Sequence, residues 1–171
     1  MSKSNIFRLL MWAVMVFGGT AVSIYFDLKY FRDIFFNLPF HIVSFATGFV
    51  ILQGVLRIAK NTGRYLARNG REGNIKRLQT NKLVTDGFYG CMRHPMHFGL
   101  IFFPEALAFI IGSPFFILIV APAEIIFMLI MIKFLEEKEA VKKFGQAYTD
   151  YKEKVPFFSL KKECLKKLLK K

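Results

Sequence analysis

Apolar side chains fall in four runs along the chain, at residues 9–26, 38–58, 96–111 and 115–134, each close to the length that crosses a hydrocarbon core as a helix. Trp12 and Tyr25 sit near the ends of the first run, where amphipathic rings favour the membrane interface. The second run is interrupted only by His41, Ser44, Thr47 and Gln53, which a spanning helix tolerates if they face protein. Gly112, Ser113 and Pro114 form a tight turn, so the third and fourth runs are expected to make a helical hairpin. Residues 59–82 set Gly63, Gly70 and Gly73 among Arg64, Arg68, Arg71, Lys76 and Arg77 and are read as a polar loop. Beyond residue 134, Glu137, Val141, Phe144, Tyr148, Tyr151 and Val155 recur at helical spacing, with Gly145 placed to divide the helix in two. The lysines and leucines of residues 161–171 fit either a short amphipathic helix on an anionic surface or a frayed tail. The pattern predicts an all-α integral membrane protein of about four spans, as one membrane domain, in which the loop and the C-terminal helical segment form a polar pocket.

Composition agrees with this reading. Of 171 residues, 54% are hydrophobic and 21 are Phe, more than a single small core can hide. The formal net charge of +13 would suggest nucleic acid in a soluble protein, but its distribution excludes that class. Residues 59–95 carry eight basic and two acidic side chains, and 133–171 carry twelve and six. The opposite face has only the balanced linker of Asp27, Lys29, Arg32 and Asp33 and an uncharged turn. The charge bias therefore puts both termini and the long loop in the cytoplasm, against the lipid bilayer. The basic start followed by an apolar run is read as an uncleaved first helix rather than a signal peptide. Cys91 and Cys164 are far apart and lack metal-ligand spacing, so unpaired thiols and no metal are expected.

Candidate chemistry lies where the loop enters the third run and where the fourth run ends. The first segment includes Lys82, Leu83, Val84, Tyr89, Arg93, His94, Pro95, Met96 and His97, and the second includes Glu136, Glu137, Phe144, Gly145, Tyr148, Tyr151 and Pro156. Pro95 can open a helix at its first turn. The hairpin then returns Glu136 and Glu137 to the level of His94, where a carboxylate could accept hydrogen bonds from a ribose diol and offset a cation. Over about residues 81–158 these motifs resemble the membrane methyltransferase family that includes isoprenylcysteine carboxyl methyltransferase and phosphatidylethanolamine N-methyltransferase. His97 stands where that family commonly has tyrosine. The closing motif lacks its frequent second proline, and Ile132 and Lys133 stand where the isoprenylcysteine branch has arginine.

The resemblance implies an S-adenosylmethionine cofactor held by Lys82, Leu83, Val84, Tyr89, His94, Pro95, Met96, His97 and Glu136. It also implies a lipophilic methyl acceptor: a phospholipid amine, a prenylcysteine carboxylate or a thiol. Glu137 or His97 is the candidate base where the acceptor must lose a proton. Glu105 and Glu124 lie inside the third and fourth runs at depths differing by about 3–5 Å, and are expected either to favour an amine-bearing acceptor or to be hydrogen-bonded internally. Two rival readings are a nicotinamide-dependent membrane reductase of the sterol-reductase type and a non-catalytic accessory protein.

Overall fold

The computed structural model describes residues 10–75 and 79–170. Expectations that rest on residues 1–9, on Lys76 and Arg77 and on Lys171 lie outside the described residues. The helices are α1 (Leu10–Tyr30), α2 (Arg32–Phe35), α3 (Leu38–Asn69), α4 (Pro95–Leu100), α5 (Phe103–Ile111), α6 (Phe116–Phe144), α7 (Gln146–Lys154) and α8 (Lys162–Leu169). Among them α1, α3 and α6 are long and apolar enough to cross a membrane, and the segment Pro95–Ile111 is a shorter apolar one. Val14, Phe17, Val43, Phe45, Val50, Ile119 and Ile126 are exposed, a surface that water would disfavour and lipid chains would cover. The protein is an all-helical integral membrane protein of about four spans.

Contacts divide the chain into two compact units, one from the N-terminal part to Leu52 with Phe102–Met128, the other from Gln53–Ile101 with Leu129–Lys171. In the first unit the turn between α5 and α6 is closed by Asp27, which is fully buried. Its carboxylate accepts a hydrogen bond from the Ser113 hydroxyl and another, at 2.8 Å, from the backbone N–H of Phe115. The apparent balance of charges in the 27–33 linker therefore hides a helix cap, which orphan N–H groups at the start of α6 require. Gly112 adopts φ 69°, and a Cβ there would also strike the His41 ring. Ser44 donates to the Phe109 carbonyl at 2.6 Å, and a Cβ on Gly48 would come within 2.7 Å of the Ala106 carbonyl oxygen. Thr47 and Gln53 do not face protein: both are exposed, and the Thr47 hydroxyl is satisfied by its own helix at the Val43 carbonyl.

Several boundaries differ from the sequence reading. Residues 59–69 are not loop, because α3 continues to Asn69. Lys, Arg, Leu and Ala are good helix formers, so the polar half of this helix leaves the apolar zone without unwinding. The third run breaks at Ile101 and Phe102, ahead of Pro104, which cannot donate to the preceding turn. Helix α6 contains two π-helical turns, Phe116–Val120 before Pro122 and Ile132–Glu136 at the acidic pair. Gly145, at φ 58° and ψ −136°, separates α6 from α7, as its position in the sequence predicts.

Cys91 and Cys164 are not free thiols; they form a disulfide with Cα atoms 5.7 Å apart. Their separation of 73 residues disguised the pair, since only folding brings α8 back to the loop before α4. Cys164, Leu165 and Leu168 of the apolar face of α8 are likewise turned to protein, while Leu169 stays exposed. Cys164 and Leu168 pack with Met92, flanked by Ile58, Phe88, Phe98 and Phe158. The Asn61 amide donates to the carbonyls of Leu168 and Lys170 at 3.0 and 2.9 Å, and Lys167 donates to the Gly87 carbonyl at 3.0 Å. Closing so long a loop constrains the unfolded chain by about 4 kcal/mol in the chain-entropy account, so reduction should lower the unfolding midpoint and expose two thiols to maleimide. An unchanged midpoint and labelling that does not depend on reductant would refute the pairing.

Candidate functional site

The site belongs to the second unit and is organised by one buried carboxylate. Glu137 is 3% exposed. The Arg93 guanidinium donates to its Oε1 from Nε at 2.8 Å and lies 2.7 Å from it through Nη2. Lys152 Nζ reaches Oε2 at 2.7 Å, and His94 Nε2 lies 3.3 Å from Oε1. Arg93 Nη1 also donates to the carbonyls of Val155 and Lys152, at 2.6 and 3.1 Å, while its backbone N–H donates to the Pro156 carbonyl at 2.9 Å. Arg93 therefore ties the entry of α4 to α6, α7 and the segment after α7. A bidentate guanidinium suits this role because its rigid fork satisfies a buried carboxylate and leaves donors for carbonyls.

His94 precedes α4, whose first residue is Pro95. Burial, together with the neighbouring His97, lowers the His94 imidazole from 6.5 to about 4, against the opposing pull of Glu137 and Glu136. The ring is thus neutral at pH 7, and Nε2–H donates toward Glu137. Because the unfolded chain takes up this proton more readily, the associated stability is complete above pH 6.5 and is lost as pH falls toward 4, by on the order of 3 kcal/mol. The unfolding midpoint should therefore fall between pH 7 and pH 5, and His94→Gln should flatten that slope; an equally steep slope in the variant would assign it to other groups.

Beside this network lies a cavity of about 200 Å³. Lys82, Leu83, Val84, Tyr89, His94, Pro95, Met96, His97 and Glu136 all line it, so folding gathers every residue that the resemblance assigned to the cofactor. Lys82 pairs with Glu72 at 2.6 Å, and this partner raises its ammonium pKa. Lys143 donates to the Thr80 carbonyl, which ties this segment to α6. Val84 and Tyr89 are buried, and burial raises the Tyr89 phenol. His97 Nε2 lies 3.2 Å from Glu136 Oε2, both half-buried. Ligand atoms of His94, His97 and Glu136 all lie within 4.8 Å of one another, a donor set compatible with a divalent cation as well as with hydroxyls.

The two acidic neighbours have different environments: Glu136 faces the cavity, whereas Glu137 is outside its lining and saturated by cations. Glu105 and Glu124 belong to the first unit and line neither cavity described for the second. Glu124 is buried, with Oε2 lacking a hydrogen-bond partner, and no hydrogen bond joins it to Glu105 among the described residues.

The cavity also takes Leu66, Thr80, Arg93, Ala140, Phe144, Tyr148 and Tyr151, which the set assigned to the cofactor did not include. Phe144, Tyr148 and Tyr151 were visible in the sequence as an aromatic stripe. Tyr151 does pack, its hydroxyl donating to the Tyr89 carbonyl at 2.6 Å. The Tyr148 hydroxyl is buried beside Arg93 and Glu137 without a well-formed hydrogen bond, and burial pushes its pKa up to about 12. A neutral phenol held there is available to a ligand.

In this membrane protein a histidine-proline turn and an acidic helix end line one polar cavity. The sequence matches the family model described as phospholipid methyltransferase over residues 41–147, more than half its length, and the chain belongs to that family. No solved structure matches it.

Proposed function

We propose that the protein transfers a methyl group from S-adenosylmethionine to a lipophilic acceptor held in the membrane, with the cofactor taken up from the cytoplasm. The observation that carries this reading is the cavity that brings residues 82–84, Tyr89 and residues 93–97 together with Glu136 and Tyr148. Its donor set fits the cofactor: Glu136 can accept from a ribose diol, Leu66, Ala140 and Phe144 offer an apolar wall for the base, and the Tyr148 hydroxyl has capacity to spare. The cofactor, when bound, supplies an activated methyl on a sulfonium that leaves as a neutral thioether.

The chain's own task is alignment and exclusion of water, since an in-line displacement needs little covalent help. Glu136 provides negative charge toward a cationic ligand. His97, coupled to Glu136, is the residue we assign to receive a proton from an amine or thiol acceptor. Glu137 serves as a positioning residue that holds Arg93 and His94, because a carboxylate bound by two cations is a weak base. Glu105 and Glu124 belong to the first unit and line neither cavity, and they are given no part in the transfer.

Purified protein in lipid nanodiscs, incubated with methyl-labelled S-adenosylmethionine and total membrane lipid, should yield a labelled lipid. Calorimetry should show binding of S-adenosylhomocysteine and none of NADPH; the reverse result would select the reductase reading, and binding of neither would select an accessory role.

A further inference from the structure

A second cavity, of about 500 Å³, adjoins the Glu137 network and shares Arg93 with the first. Its polar lining consists of Arg93, Lys133 and Lys152 with Glu137 as sole carboxylate, so three cations face one anion. The rest of the lining is apolar, from Leu129, Phe157 and Phe158. Arg93 and Lys152 are engaged with Glu137, but the ammonium of Lys133 has no carboxylate partner among the described residues and rests 5.9 Å from the Phe134 ring. Leu129 and Lys133 are one turn apart on α6, a helix long and apolar enough to span.

We propose that this cavity binds the phosphate of a membrane lipid, with Lys133 and Lys152 on the phosphate oxygens and Leu129, Phe157 and Phe158 against the glycerol and upper acyl chains. Surplus positive charge favours an anion, and a cation beside aromatic rings at the end of the apolar run 115–134 lies where headgroup phosphates lie. A small free anion would leave the apolar wall wetted and the volume unfilled, whereas an amphiphile satisfies both surfaces. Arg93, fixed between the cavities, has its donors committed and contributes field rather than contact. That this lipid is the methyl acceptor rests on the methyltransferase reading above; that the cavity holds a lipid phosphate does not.

The test is native mass spectrometry of the detergent-solubilised full chain with dioleoylphosphatidic acid, beside calorimetry with S-adenosylhomocysteine. Lys133→Gln should weaken phosphatidic acid binding about tenfold, as for loss of one charge-assisted contact, and Lys133→Arg should restore it to within about twofold. Because Lys133 is exposed and outside the first cavity, S-adenosylhomocysteine affinity should not change. In turnover with phosphatidylethanolamine the Gln variant should raise KM by a similar factor with kcat nearly constant. Equal phosphatidic acid binding by wild type and Lys133→Gln overturns the proposal, as does displacement by inorganic phosphate at equal concentration or equal retention of dioleoylglycerol. If wild type binds no S-adenosylhomocysteine while lipid binding still depends on Lys133, the lipid site stands and its role as acceptor site falls.

Discussion

Glu137→Ala is expected to destabilise the protein by about 3–5 kcal/mol, the usual cost of removing one partner from a buried ion pair. The change leaves the Arg93 guanidinium, whose side chain is 9% exposed, without its counter-ion. It also removes the acceptor that His94 faces, and the backbone anchor from Arg93 to Pro156 would lose its fixed side chain. By contrast, the Lys152 side chain is 46% exposed, so Lys152→Ala should cost under about 1 kcal/mol, as a solvent-screened pair does. Thermal unfolding of both variants in one detergent, followed by helical circular dichroism, makes the comparison. Equal losses in the two would mean that Glu137 is no more than a surface carboxylate, and the organisation of the site around it would have to be abandoned.

Glu136→Ala should leave the fold intact and weaken S-adenosylhomocysteine binding by roughly tenfold to a hundredfold, the equivalent of about 1.5–3 kcal/mol for a charged hydrogen-bond acceptor. The neighbouring carboxylates thus separate by readout: stability for Glu137 and affinity for Glu136. Calorimetric titration of the variant, with its unfolding midpoint measured alongside, decides the matter. Unchanged affinity would remove the main support for the cofactor pocket, and an unfolding midpoint as low as that of Glu137→Ala would show that the two residues share one structural task.

This separation could not be read from the sequence, where Glu136 and Glu137 are simply adjacent on a helix. The π-helical turn at Ile132–Glu136 adds a residue to the local winding and resets which side chain faces which neighbour. Inspection of composition cannot detect such an insertion. The Cys91–Cys164 bridge was hidden for a related reason, since spacing rules describe local frameworks and this pair closes 73 residues of chain. The amphipathic pattern of α8 was legible, but an apolar stripe does not say whether lipid or protein will cover it; Met92 and its neighbours do. Asp27 likewise looked like one member of a neutral linker until Ser113 and Phe115 were brought to it.

The sequence by itself determined that the chain has about four spans, the division at Gly145 and the candidate residues that come to line one cavity, because hydrocarbon length, glycine backbone freedom and a motif in fixed order are all properties of the linear chain. Tertiary structure alone decided the partners: Glu137 with Arg93 and Lys152, Glu136 with His97, Cys91 with Cys164, and Lys133 with an apolar-walled cavity. Pairings between residues tens of positions apart depend on helix register and crossing, and a single extra residue in one turn rotates every side chain beyond it by about 100° relative to its neighbours.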